Sequence, residues 1–103
     1  MAKMVLNFPL HYQIFDGIKG CVFTNGCFDI LHRGHVSLLE FCWKQKSPEQ
    51  KVVVGVNTDR SIQQLKGNNR PILSLEDRIG VLKAIKWIDC IVTFDTKSVF
   101  PLI

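Results

Sequence analysis

A chain of 103 residues sets one domain as the expectation, with little core to spare. Hydrophobic residues make up 47% and charged residues 21%, a balance that excludes a disordered or low-complexity chain. The net charge of +4 suits phosphate-bearing small molecules, and because the basic residues are scattered it supplies no nucleic-acid-binding arm.

Residues 1–19 carry Val5, Leu6, Phe8, Leu10, Ile14 and Phe15 without a clean period, and Pro9 interrupts them. They read as an N-terminal extension packed on a domain spanning 20–103, with room for a short helix. The first fourteen residues lack the apolar core and small-residue cleavage site of a signal peptide. No apolar run approaches the ~18 residues of a membrane span. A cytoplasmic protein with no membrane and no nucleic-acid partner is expected. Cys21, Cys27, Cys42 and Cys90 show no C-x-x-C spacing, so reduced thiols are expected rather than zinc or a redox pair.

Cys21–Thr24 is a short apolar run, read as a buried strand. A helix is expected over 34–46, with Val36, Leu38, Leu39, Phe41, Cys42 and Trp43 on a broad apolar face. Lys44 and Lys46 suit its last turn, and Ser47-Pro48 stops it. Lys51–Asn57 (KVVVGVN) is almost continuously apolar, as in a strand covered on both faces. Thr58-Asp59 caps a helix to about Leu65, and a polar loop, KGNNR, follows before Pro71. Ser74 is a good N-cap for a helix over 75–86, with Glu76 and Asp77 in its first turn. Residues 88–94 (IDCIVTF) read as a third strand, and 98–103 as the start of another helix. Trp43 and Trp87 are read as packing residues, and His11 is given no role.

The order β-α-β-α-α-β implies an α/β fold, a parallel sheet with right-handed crossovers and flanking helices. Ligands of such sheets bind outside the carboxyl ends of the strands, often against a helix N-terminus. The stretch TNGCFDILHRGHVSLLE, residues 24–40, lies there. Gly26 and Gly34 allow close backbone approach. The first helical N–H groups and the dipole favour an anion. His32 and His35, three apart, can offer imidazole N–H groups to phosphate oxygens from one side. Asp29, acceptor-only when ionised, suits orienting a histidine or backbone donors. Arg78 falls inside the apolar arc of its helix, formed by Leu75, Ile79, Val81, Leu82 and Ile85. An arginine on the buried side needs an anionic partner, either an internal carboxylate or a bound phosphate.

The run GCFDILHRGHVSLLE resembles the nucleotidyltransferase superfamily with the H-x-G-H signature, in its cytidylyltransferase-like branch. The likeness continues through VNTDRSI, LKGNNRPI and LEDR followed by VLKAI. It is strongest toward adenylyltransferases acting on heptose 1-phosphate, with glycerol-3-phosphate cytidylyltransferases next. It implies a Rossmann-like fold and transfer of AMP or CMP from ATP or CTP to a phosphorylated sugar or polyol, releasing pyrophosphate. It gives catalytic roles at the phosphates to His32, His35, Lys66 and Arg78. Asn25, Gly26, Cys27, Phe28, Asp29 and Gly34 would line the nucleotide, and Asp59 and Arg70 the acceptor. Magnesium would accompany the triphosphate, with no protein metal site. The related enzymes continue with two more strands, so the domain reads as C-terminally shortened. A homodimer that covers the exposed edge is expected. The alternative is a non-catalytic nucleotide-binding or assembly module of the same fold.

Overall fold

The computed structural model of the chain describes residues 4–7 and 21–95. The helix expected over 98–103 and most of the N-terminal extension lie outside those residues. The described elements are β1 (Met4–Asn7), β2 (Val22–Gly26), α1 (Arg33–Gln45), β3 (Val52–Asn57), α2 (Asp59–Lys66), α3 (Leu75–Lys83) and β4 (Cys90–Phe94).

All pairings are parallel, and the strand order is β1-β4-β3-β2. The Rossmann-like α/β expectation is therefore met, with one correction. The sheet has a fourth strand, β1, contributed by the segment read as an extension. Its four residues, MVLN, are too few to show a period, and among the described residues they pair on one side, with β4. β2 forms the other border of the described sheet.

The continuous apolar run of β3 is central, and all six of its residues are buried. Val54 and Val56 join Ile91 of β4 on one face, where Leu39 of α1, Leu82 of α3 and Phe28 meet them. Val53, Cys90 and Val92 occupy the opposite face with Cys21 and Phe23. Each valine taken fully out of water contributes about 1.5–3 kcal/mol, so β3 dominates the core for its length.

Helix limits follow local chemistry. Thr58 Oγ1 accepts from Ser61 N–H and Ser74 Oγ from Asp77 N–H, which caps α2 and α3 at their expected starts. α3 ends at Lys83, three residues short of expectation. Ile85 N–H donates to Leu82 O and Ile88 N–H to Ile85 O, tight turns that redirect the chain into β4. Trp43 and Trp87 pack ring to ring, with centroids 6.1 Å apart, as expected of packing residues. Among the described residues no helix is long and apolar enough to cross a membrane.

Candidate active site

The carboxyl ends of β2 and β3 open toward the turn that leads into α1. Phe28 begins that turn in the left-handed region, at φ 49°, with its ring buried in the core. The ring lies 5.5 Å from that of His35. The resemblance placed Phe28 along the nucleotide. Its side chain packs into the core behind the histidine and also lines the cavity described below.

His32 is the N-cap of α1, and the two histidines cap one another. His32 Nδ1 accepts from Gly34 N–H at 3.0 Å, and His35 Nδ1 accepts from His32 N–H at 3.2 Å. This is the reciprocal capping box, built from imidazoles in place of the usual hydroxyl and carboxylate. An Nδ1 that accepts carries no proton, so in each neutral ring the proton sits on Nε2. The rings lie tilted against each other, with centroids 4.1 Å apart and planes at 48°. Burial, and then the neighbouring His32 charge, hold the His35 pKa below the ordinary imidazole value.

The anion site expected from free helical N–H groups is therefore altered. Gly34 N–H is taken by His32 Nδ1, and those of His35 and Val36 by His32 O. The imidazole Nε2–H groups are among the donors left to a ligand at this helix start. Gly34 serves this arrangement too. A Cβ there would stand 2.8 Å from His32 Cε1, so only glycine lets the ring fold back over the helix start.

Lys66 and Arg70 reach the same place from the far side. A cavity of about 270 Å³ is lined by Cys27, Phe28, Asp29, Ile30, His32, His35, Lys66 and Arg70. Of the nucleotide-lining residues expected from sequence, Cys27, Phe28 and Asp29 are thus brought together with the histidines, whereas Asn25 and Gly26 sit on border strand β2 away from the cavity lining. The Asp29 carboxylate is occupied. It accepts from Ile72 N–H at 2.8 and 3.0 Å and from Leu73 N–H at 2.8 Å, and Arg70 Nη1 lies 3.7 Å away. Burial pushes its carboxyl up, but the Leu73 and Ile72 N–H groups, with the Arg78 and Arg70 charges, outweigh that and hold it below the usual range. These two backbone amides were invisible to sequence reasoning, because any residue but proline supplies the same donor.

Arg78 requires a correction. Its side chain is fully buried. Nε donates to Leu73 O, Nη1 to Cys27 O and Asn57 O, and Nη2 to Asp59 Oδ1 at 2.6 Å. Four of the five guanidinium N–H groups thus meet internal acceptors, so in this structure Arg78 is a structural clamp beneath the site. Asp59, expected at the acceptor, is likewise the partner of Arg78 and is absent from the cavity lining.

The family model described as cytidylyltransferase-like matches residues 23–102. The chain belongs to the cytidylyltransferase-like family. It is similar to the bifunctional protein HldE of Campylobacter fetus subsp. fetus (strain 82-40), 47% identical over 82% of this chain and 18% of the relative. It is also similar to those of Koribacter versatilis (strain Ellin345), 48% identical over 80% of this chain and 16% of the relative, and Wolinella succinogenes, 49% identical over 80% and 17%. The chain thus spans under a fifth of the length of these curated relatives. The cytidylyltransferase-like match covers both sides of the cavity, from β2 through the histidine turn to the Lys66–Arg70 loop.

Proposed function

We propose that this chain carries nucleotidyl transfer, moving AMP or CMP from ATP or CTP to a phosphorylated sugar or polyol. The acceptor's phosphate oxygen attacks the α-phosphorus. A new P–O bond forms, the bond to the β-phosphate's bridging oxygen breaks, and pyrophosphate leaves. The nucleophile is already anionic, so no protein base is needed. What the site must supply is fixed positive character where charge builds on the phosphates.

The reciprocal histidine cap carries this reading. It fixes both ring orientations and both protons before any ligand arrives, so little reorganisation remains when charge develops. Lys66 and Arg70 face the same cavity and supply the countercharge to the triphosphate. Magnesium belongs to this reading as an ion that travels on the triphosphate. Among the described residues no group of three His, Cys, Asp or Glu side chains is placed to hold a metal. The carboxylate lining the cavity, Asp29, is taken up by backbone donors.

The test is pyrophosphate release across a matrix of ATP or CTP against sugar and polyol phosphates. Release that requires both a nucleotide and an acceptor is expected. Nucleotide binding without acceptor-dependent release would give the non-catalytic module the better claim. The expected homodimer belongs to the same reading, and sedimentation of the chain checks it.

A further inference from the structure

The two sides of the cavity come from segments far apart in the chain. The histidines stand on α1, while Lys66 is the last residue of α2 and Arg70 lies in the loop beyond it. That loop turns at Gly67, whose φ of +96° is open to glycine alone without strain. Residues 67–70 are all exposed, so no apolar burial holds them down. The attachment comes just afterward, at Ile72 and Leu73. Both N–H groups end on Asp29, 43 and 44 residues earlier in the chain. The Leu73 backbone is held at both ends, its N–H by Asp29 and its C=O by Arg78 Nε at 3.1 Å. Asp29 itself follows Phe28, a bulky residue held at φ 49°, a conformation that persists only where surrounding structure enforces it.

We propose that Asp29 is a positioning residue for phosphate binding: by holding Ile72 and Leu73 it sets the loop that follows Lys66 and carries Arg70 against His32 and His35. The proposal rests on the phosphate-site reading above. Asp29 acts through the loop and makes no favourable contact with the ligand, because a carboxylate facing a phosphate repels it. That gives the role a distinctive sign. Removing the negative charge from the rim of an anion site should, on electrostatics alone, tighten anion binding. If the charge instead organises the cations, its removal weakens binding.

The probe is inorganic tripolyphosphate with magnesium, which needs no choice of base, titrated by calorimetry into the intact chain. In Asp29→Asn the charge is lost, and the NH₂ that replaces Oδ2 meets Ile72 N–H donor to donor, while the remaining oxygen is a neutral and weaker acceptor for both backbone N–H groups. The expected result is a loss of affinity of ~10-fold, the scale of charge-assisted hydrogen bonds. Asp29→Glu, which keeps charge and acceptors, should recover part of it. Unchanged or tighter binding in Asp29→Asn overturns the proposal. His35→Ala separates the two levels. If it weakens tripolyphosphate binding while Asp29→Asn does not, the positioning role alone fails. If His35→Ala also binds normally, the phosphate-site reading fails as well. Should Asp29→Asn not fold, hydrogen exchange on the unaltered chain decides. The Ile72 and Leu73 amides should be protected well beyond those of Asn68 and Asn69, and exchange at unprotected rates would overturn the proposal.

Discussion

His35 concentrates the chemistry of the site, since one ring both accepts from the backbone through Nδ1 and keeps Nε2–H for a ligand. Replacing it by alanine should lower acceptor-dependent pyrophosphate release by ~10²-fold or more, the usual scale for one lost transition-state donor. A variant as fast as the parent would remove His35 from the reaction. Its proton equilibrium makes a second prediction. The folded pKa lies below the ordinary value of 6.5, so the unfolded chain takes up the proton first. The stability associated with the neutral ring is complete above about pH 6.5 and falls as the pH drops through the interval below it. Protonation also places a hydrogen on Nδ1, where His32 N–H now donates. Melting temperatures at pH 7.5, 6 and 5 should therefore decline more in the parent than in His35→Ala. Parallel pH profiles would show that the cap does not depend on the neutral ring.

At the level of elements, the start of α1 sets two effects against each other. Gly34→Ala normally favours a helix by up to about 1 kcal/mol. Here the new methyl would lie 2.8 Å from His32 Cε1, and the exposed ring escapes by swinging out, giving up a cap also worth about 1 kcal/mol. The two nearly offset, so the melting temperature should hardly move while tripolyphosphate binding drops with the loss of His32. Retained binding would mean that the ring can cap and donate despite the methyl. The same element shows what was legible in the sequence. The two histidines at the helix start were legible as a site but their reciprocal cap was not, since imidazole is not a usual capping side chain, whereas the run of apolar residues in β3 announced a strand buried on both faces. β1 was not legible, because four residues at a sheet border bury too little to leave a pattern. The contact of Asp29 with Ile72 and Leu73 was not legible either, since its donors are backbone groups. For Arg78 the helical wheel correctly demanded an anionic partner, but only the fold could choose an internal carboxylate over a bound phosphate.

For the molecule as a whole, that choice ties the site to the stability of the fold. From α3, the Arg78 guanidinium reaches the turn after β2 through Cys27 O, the end of β3 through Asn57 O, the first residue of α2 through Asp59 and the loop before α3 through Leu73 O. Arginine suits this place because its planar fork directs donors several ways at once, and a lysine ammonium cannot reproduce that geometry. Arg78→Lys should therefore leave buried carbonyls without donors and cost about 3 kcal/mol or more. In a domain of this size such a loss lowers the melting temperature by on the order of ten degrees or more, with no nucleotide present. A phosphate contact behaves differently. Losing one leaves the ligand-free melt in place and removes only the stabilisation that nucleotide adds, ~2.7 kcal/mol at a hundred times its dissociation constant. Melting Arg78→Lys with and without ATP or CTP thus distinguishes the clamp from the ligand. A large drop in the free protein fits the clamp, and an unchanged free melt with a vanished nucleotide shift would return Arg78 to the phosphates.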